Sequence, residues 1–245
     1  MASDPQPHSS PAAAPAPTAG AAARPWPTGE PAVFEAVELT CVRRDRVLFE
    51  GFSFRLEAGE LLQIEGANGS GKTSLLRILV LLALADEGEV RWNGTSTEEN
   101  RADYLSSLTY IGHTPGVKAD LTAFENLRVA TALAGAAAAC DPDDALEAVG
   151  LAGFEDTYVR ELSAGQTRRV ALARLLLQPT RLWILDEPFT ALDRSGKRLV
   201  EGMLEDHCAA GGMALITTHQ PVDVGDAAKT RIHMGAEPAP VDEAG

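Results

Sequence analysis

The segment Gly66-Ala67-Asn68-Gly69-Ser70-Gly71-Lys72-Thr73 decides the fold of this 245-residue chain. It satisfies the pattern G-x-x-x-x-G-K-[ST] and follows Leu61-Leu62-Gln63-Ile64-Glu65, an apolar run typical of a strand. Helix-forming residues continue from Thr73 to Leu84. The sequence therefore predicts a strand, a glycine-rich loop and a helix in succession, a unit typical of α/β proteins with a parallel sheet.

A loop of this composition binds phosphate groups. Its glycines let backbone N–H groups converge on a β-phosphate, and the positive end of the helix dipole adds to the attraction. We expect Lys72 to contact the β- and γ-phosphates and the Thr73 hydroxyl to ligate Mg²⁺. The predicted nucleotide-binding residues are Gly66, Ala67, Asn68, Gly69, Ser70, Gly71, Lys72, Thr73 and Ser74.

A second apolar run supplies two carboxylates. The residues from Leu182 to Leu185 predict a buried strand that ends at Asp186 and Glu187. Ligands of parallel sheets bind at the carboxyl ends of the strands, so both side chains are expected to face the phosphate loop. We expect Asp186 to belong to the Mg²⁺ shell, and Glu187 to orient the attacking water and accept its proton.

The rest of the chain divides by periodicity. Alternating apolar residues in VFEAVELTCV and VLFEGFSFRL predict two antiparallel strands joined around Arg43 to Arg46. Helix formers dominate between about Ser106 and Leu162, with helix caps expected at Thr122 and Asp141, which predicts a helical insertion. The predicted helices there run over 123–139 and 143–149, and the α/β pattern resumes with helices over 164–177 and 195–209 and strands over 182–185 and 213–217.

The two ends of the chain differ from its middle. Residues 1–31 hold eight of the fifteen prolines and almost nothing that could fill a core, which predicts a disordered Pro/Ala-rich tail. We expect one domain over 32–236, with a helical subdomain at about 106–164, and a flexible tail over 237–245.

Composition excludes several classes of protein. The formal net charge of −14 repels polyphosphate chains, so binding of nucleic acid is not expected. Cys41, Cys140 and Cys208 form no CxxC pattern, which disfavours disulfides, a zinc site and covalent haem attachment. We expect three reduced thiols in a cytosolic protein.

The sequence offers no membrane segment. The longest unbroken apolar run extends only from Ile78 to Ala85, whereas a spanning helix needs roughly 18 apolar residues or more. Residues 1–31 also lack the cationic start and apolar run of a secretory signal. We expect any membrane association to come through a partner protein.

Further motifs carry a resemblance to a known family. Leu162-Ser163-Ala164-Gly165-Gln166 resembles the LSGGQ signature of ABC ATPases, with alanine in place of the first glycine. Ala191-Leu192-Asp193 is similar to the D-loop, and Thr217-Thr218-His219 is similar to the switch histidine. With the phosphate loop and the strand ending at Asp186, five motifs follow the family order over about 150 residues.

The resemblance implies a fold, a substrate and a partner. The fold would be α/β, an ABC-type P-loop NTPase core with an antiparallel β subdomain and an inserted α-helical subdomain. The substrate would be ATP with Mg²⁺, sandwiched in a head-to-tail dimer of two copies of this chain. In that dimer the ATP of one copy is met by the signature residues of the other, which here are Ser163, Ala164, Gly165 and Gln166.

The resemblance also assigns roles to single residues and shows two departures. His219 would sense the γ-phosphate, and Asp193 would serve in the D-loop. The family usually has glutamine at the junction with the helical subdomain, where this chain offers His113 or Thr114. Arg43 stands where an aromatic ring usually stacks on adenine, so its guanidinium plane is the remaining candidate for that contact.

Softer motifs narrow the resemblance. The segments LTAFENL (121–127), GLAGFED (150–156) and TTHQP (217–221) are similar to the ATP-binding subunits of cytochrome c maturation haem exporters. This implies a peripheral subunit on the cytoplasmic side of the inner membrane, docked through the region 113–127 on integral membrane subunits. Its ATP turnover would power haem export or release of a haem-loaded chaperone, although no spacing of histidines or cysteines in the chain indicates a haem ligand.

Two alternatives stay open at this point. One is an ABC ATPase that serves another substrate, and the other is a soluble ATPase of iron–sulfur cluster assembly. An inert nucleotide-binding module is disfavoured because the chain has Lys72, Asp186, Glu187 and His219 together.

Overall fold

The computed structural model describes residues 32–44, 46–134, 139–225 and 227–235. The tails predicted over 1–31 and 237–245 lie outside these residues, as does the predicted helical stretch 135–138. The described strands are β1 (Val33–Arg43), β2 (Arg46–Glu57), β3 (Glu60–Gly66), β4 (Glu87–Trp92), β5 (Thr95–Ser96), β6 (Leu108–Ile111), β7 (Leu182–Asp186), β8 (Met213–Thr217) and β9 (Ala228–Met234). The helices are α1 (Lys72–Leu79), α2 (Arg101–Ser106), α3 (Ala123–Ala134), α4 (Pro142–Ala148), α5 (Ala164–Leu177) and α6 (Arg194–Ala209), with a 3-10 turn at Val159–Glu161.

The strands form two sheets of different kinds. The described part of the chain contains a parallel sheet in the order β6-β7-β8-β3-β9 and an antiparallel sheet in the order β2-β1-β4-β5. In β7, Trp183 and Leu185 pack into one apolar cluster with residues of α3 to α6. Leu182 and Ile184 point the other way and pack with residues of α1 and the antiparallel sheet. Because β7 is covered on both faces, it reads as an unbroken apolar run, as the sequence predicted.

The helix after the phosphate loop is shorter than predicted. The sequence predicts a helix as far as Leu84, but α1 ends at Leu79, and Leu81 adopts a left-handed φ of 58°. The buried Tyr104 hydroxyl donates to the Leu79 carbonyl at 2.6 Å and so satisfies a carbonyl of the last helical turn. A side chain of α2, which sequence reasoning did not predict, therefore marks the end of α1.

The helical subdomain predicted over 106–164 begins too early in the chain. Strand β6 lies within 106–164, yet it pairs with β7 in the parallel sheet, from Leu108 opposite Leu182 to Ile111 opposite Leu185. The longer helices of this interval begin only after β6, with α3. Both predicted caps are confirmed, since the Thr122 hydroxyl accepts from the Glu125 N–H at 3.1 Å and the Asp141 carboxylate accepts from the Asp143 N–H at 2.9 Å.

None of the described helices combines the length and the hydropathy that are needed to cross a bilayer.

Tyr104→Phe tests how α1 is held. Burial raises the pKa of Tyr104 well above its ordinary value, which keeps the hydroxyl protonated as a donor. Removing it leaves the Leu79 carbonyl without this partner, and we expect a loss of about 1–2 kcal/mol in the free energy of unfolding. Urea titration followed by circular dichroism measures this loss. Tyr158→Phe is the matched control because Tyr158 is exposed, and equal midpoints for the two variants would contradict the expectation.

Candidate nucleotide-binding and hydrolysis site

Parallel pairing collects the predicted site residues at one edge of the sheet. Asp186 at the end of β7 is in register with Thr217 of β8, and Thr217 is in register with Ile64 of β3. The loops after these three strands therefore open on the same side. The segments that follow β3 and β7 border a cavity of about 450 Å³, which is lined by Leu48, Asn68, Gly69, Gly71, Lys72, Thr73, Ser74, His113, Asp186 and Glu187.

The phosphate loop has a backbone that only glycine accommodates at two positions. Gly66 has a φ of 152°, and a Cβ atom there would lie 2.7 Å from the Met234 carbonyl oxygen of β9. Gly71 has a φ of 100° immediately before α1, and its missing Cβ would contact the Phe49 ring at 3.1 Å. The close approach of the neighbouring strands thus explains the first and last glycines of the motif.

The Lys72 ammonium lies within this loop. It donates to the carbonyl oxygens of Gly66 at 2.5 Å and Ala67 at 3.2 Å, and it lies 3.3 Å from Nε2 of His219. The lysine residue is largely buried, and its bonds to the Gly66 and Ala67 carbonyls hold its charge inside the loop. A cation in this place complements the negative charge of a bound polyphosphate.

Two oxygen donors meet at the start of α1. The Thr73 hydroxyl lies 3.4 Å from Oδ2 of Asp186, while the Thr217 hydroxyl donates to Oδ1 of the same carboxylate at 2.7 Å. Thr217 therefore fixes the orientation of the Asp186 carboxylate and leaves Oδ2 directed at Thr73. A hydroxyl and a carboxylate oxygen are hard ligands of the kind that Mg²⁺ takes beside substrate phosphates and waters, so this pair fits the predicted metal.

Glu187 is held in an uncommon backbone conformation beside His219. Its φ is 49°, in the left-handed region that non-glycine residues rarely adopt. Its N–H donates to both the carbonyl and the hydroxyl of Thr217, at 3.1 and 3.0 Å. The Glu187 carboxylate lies 3.4 Å from Nε2 of His219. The structure thus brings the predicted base and the predicted switch histidine together at the edge of the cavity.

The two positions that depart from the family pattern, 113–114 and 43, differ in their relation to the cavity. His113 lines the cavity, whereas Thr114 is not among the lining residues. Arg43 is turned away, because its guanidinium donates to the Asp86 carboxylate at 3.2 Å and to the Leu84 carbonyl at 3.2 Å. Leu48, which sequence reasoning missed, borders the cavity from β2. No local signal could have identified Leu48. Packing between the two sheets decides which residue of the β1–β2 hairpin lies beside the phosphate loop.

The signature residues lie at the tip of α5, away from this cavity. Ser163 caps the helix, accepting from the Gln166 N–H at 3.2 Å, while the Gln166 side chain accepts from the Ser163 N–H at 2.9 Å. Neither they nor Ala164 and Gly165 are among the residues that line the cavity of the same chain. A Cβ atom on Gly165 would lie 2.8 Å from the Ala191 carbonyl, so the tip packs directly on the D-loop.

Asp193 ties the D-loop to α5 and α6. Its carboxylate caps α6 by accepting from the Gly196 N–H at 2.8 Å, and it pairs with the Arg169 guanidinium at 3.0 Å. Hydrogen bonds from the Gly196 N–H and the Ser195 hydroxyl, together with Arg169, lower the pKa of Asp193 below its ordinary value. The D-loop aspartate is therefore engaged within its own chain.

A functional candidate that the sequence did not single out is Arg168 of α5, which is only 3% exposed. Its guanidinium donates to backbone carbonyls that include those of Gly112 at 2.9 Å and Asp186 at 2.8 Å. Burial lowers the pKa of Arg168, and the charges of Asp186 and Glu187 oppose that shift. The basic pair Arg168-Arg169 near the start of α5 was the available signal.

The fold is shared with solved ATP-binding subunits. An ABC transporter ATP-binding protein from Pyrococcus furiosus superposes with a TM-score of 0.70 at 24% identity, covering 82% of this chain and 97% of that one. An ATP-binding subunit of another ABC transporter gives a TM-score of 0.66 at 25% identity, covering 76% of this chain and 80% of that one. These likenesses support the predicted α/β fold with its ABC-type core.

The relatives in sequence belong to the same family and define a group within it. Residues 49–190 match the family model described as ABC transporter. The cytochrome c biogenesis ATP-binding export protein CcmA of Methylococcus capsulatus is 57% identical over 187 residues, which cover 76% of this chain and 90% of the relative. The proteins of the same name from Nitrosospira multiformis and Aliivibrio fischeri are 52% and 47% identical, over 98% and 100% of their lengths. The chain therefore belongs to the ABC transporter family of ATP-binding proteins, in the group of cytochrome c biogenesis ATP-binding export proteins.

Proposed function

We propose that this chain is the ATP-hydrolysing subunit of an ABC transporter-type complex, and that its turnover powers haem export or haem-chaperone release in c-type cytochrome biogenesis. The observation that carries the enzymatic part is the meeting of Lys72, Thr73, Asp186 and Glu187 at one cavity beside His219. The biological part is supported by relatives that are named for export in cytochrome c biogenesis and align over most of the chain.

The residues divide the chemistry of hydrolysis between them. The loop N–H groups and Lys72 bind the β- and γ-phosphates and orient the γ-phosphate for attack. Thr73 and Asp186 would hold Mg²⁺, which when bound neutralises negative charge on the phosphate oxygens. Glu187 orients the attacking water and takes its proton, and a base positioned in this way contributes about 10²–10⁴-fold to a rate. His219, whose Nε2 lies 3.4 Å from the Glu187 carboxylate, keeps this base aligned with the γ-phosphate.

The complete site takes residues from two copies of the chain. The capped tip of α5 offers the Ser163 hydroxyl and the first N–H groups of a helix, a combination that favours a phosphate. This tip does not face the cavity of its own chain, so we assign it to the ATP bound by a second copy. Two such contacts make a head-to-tail dimer in which ATP lies at the interface.

The partners beyond the second copy are integral membrane subunits of a haem-handling complex. The chain would dock on them peripherally, on the cytoplasmic side of the inner membrane, and would meet the membrane only through them. The net charge of −14 supports this assignment over nucleic-acid binding. Residues around 113–127, between the cavity and α3, are the proposed docking region.

Co-purification distinguishes this function from the two alternatives. A tagged chain expressed in its native host should sediment with membranes and bring down integral subunits that bind haem or a haem chaperone. Sedimentation only with a cytosolic iron–sulfur scaffold would favour the assembly ATPase. Integral subunits without any haem component would indicate another substrate for the same chemistry.

Glu187→Gln tests the assignment of the base. The amide keeps the size of the side chain but cannot take a proton, so we expect the turnover number for ATP to fall by about 10²–10⁴-fold. Because ATP then persists at the interface, the variant should elute as a dimer with MgATP in size-exclusion chromatography.

Glu147→Gln, an exposed change on α4, is the matched control and should behave like the parent. Hydrolysis by Glu187→Gln at the parent rate would remove Glu187 as the base. A monomeric elution with MgATP, even with the membrane subunits present, would contradict the dimer.

His113→Gln tests whether an imidazole fills the place usually taken by glutamine. A glutamine amide can form the hydrogen bond that this place requires, whereas an alanine cannot. We expect the ATPase rate of His113→Gln to stay close to that of the parent and the rate of His113→Ala to fall. The measurement is the turnover number for ATP of both variants, and Thr114→Ala serves as the control. A fall in Thr114→Ala together with a parent-like rate in His113→Ala would show that His113 does not have this role.

A further inference from the structure

Arg168 is a buried cation that no step of the proposed chemistry uses. It lies in the second turn of α5, and its guanidinium donates to four carbonyl oxygens, those of Gly112 at 2.9 Å, Asp186 at 2.8 Å, Glu187 at 3.0 Å and Pro188 at 3.4 Å. Burial of a cation is costly, and here its direct partners are carbonyl dipoles of backbone segments that come from β6 and β7. Arg168 therefore joins three parts of the chain, and two of them carry residues that line the cavity.

One of these carbonyls belongs to the residue that carries the proposed base. The backbone of Glu187 is in the left-handed region, a conformation that persists only where surrounding contacts impose it. Thr217 binds its N–H from the side of β8, and Arg168 binds its carbonyl from the side of α5. The peptide units on either side of the Glu187 Cα atom are thus held from opposite sides. The direction of the carboxylate depends on both contacts.

A second carbonyl belongs to the residue before His113. Gly112 follows β6, and a Cβ atom on it would lie 2.9 Å from the Tyr110 hydroxyl, so this backbone is packed closely as well. The Arg168 guanidinium binds the Gly112 carbonyl with one terminal nitrogen and the Asp186 and Glu187 carbonyls with the other. A single planar group therefore sets the separation between the backbones that carry His113 and Glu187.

We propose that Arg168 is a positioning residue for hydrolysis, which holds Glu187 and His113 in the arrangement that activates the water. The proposal rests on the proposed ATPase function and on Glu187 as the base. It requires the fork geometry of arginine, because a lysine ammonium is a single point that cannot span carbonyls on two strands. The phosphate loop makes no hydrogen bond with Arg168 among the described residues, so ATP binding should not depend on it.

The experiment compares Arg168→Met and Arg168→Lys with Arg174→Met. Arg174 is the matched control, a partly buried arginine of the same helix whose pKa is lowered by burial and whose Nε has no hydrogen-bond partner. All proteins are full-length and are purified with their integral membrane subunits. Since a misplacement of about 1 Å can cost about 10²-fold, we expect both Arg168 variants to lose about 100-fold in turnover number. We expect the KM for MgATP to stay within about threefold, and Arg174→Met to match the parent.

A second measurement separates positioning from general damage. In a Glu187→Gln background the base is already absent, so adding Arg168→Met should slow single-turnover hydrolysis by less than about threefold. A full multiplicative loss in that background would show that Arg168 acts independently of Glu187 and would overturn the proposal. Parent-like turnover in Arg168→Lys, or an equal loss in Arg174→Met, would overturn it too.

Two further outcomes complete the test. Thermal melting shows whether Arg168→Met folds. If it does not, Arg168→Lys takes its place, because lysine keeps the charge and most of the volume. Its turnover and single-turnover rates are then compared in the parent and Glu187→Gln backgrounds. A parent complex that does not hydrolyse ATP would refute the proposed function itself. If the parent and the Arg168 variants are equally active, only the role of Arg168 is refuted.

Discussion

The site depends on the parallel pairing of β3, β8 and β7. Parallel strands end at the same edge of a sheet, so this pairing brings together side chains that are separated by about 150 residues in the chain, from the phosphate loop to His219. The pairing is fixed because β7 and β8 are buried along their whole length. A slip by one residue would turn every side chain of β7 to the opposite face, so Trp183 and Leu185 would leave the cluster they share with α3 to α6 and enter the cluster on the side of α1. The same burial that stabilises the sheet therefore sets the geometry of the site.

Around this edge the backbone adopts conformations that only close packing can maintain. Gly66 lies against a carbonyl of β9, and Glu187 has a left-handed φ without being a glycine. Each is held by groups from another segment, and strained residues of this kind cluster where side chains must be placed with accuracy. The Thr217 hydroxyl contacts two of these site residues, since it orients the Asp186 carboxylate and also accepts from the Glu187 N–H.

The tip of α5 has a different character from the cavity. Its capping box satisfies the N–H groups of Ser163 and Gln166 within the chain, and its packing on Ala191 and the pairing of Arg169 with Asp193 join it to the D-loop. The tip and the D-loop therefore form one connected surface. The same helix carries Arg168, whose guanidinium donates to the carbonyls of Asp186 and Glu187. One helix thus has a capped end that does not line the cavity and a buried side chain that binds the backbone of two residues that do.

The sequence by itself determined the phosphate loop, the apolar strands, the helix caps and the bounds of α5, because each of these is encoded by neighbouring residues through periodicity, glycine spacing or capping chemistry. Tertiary structure decided what depends on distant segments. Strand β9, with its alternating polar and apolar residues, is defined by pairing along β3, and α1 ends where Tyr104 reaches its last turn. Leu48 rather than Arg43 borders the cavity because Asp86 holds the arginine away. The partners of Arg168 are backbone carbonyls, which every residue possesses, so no pattern of side chains could have announced them.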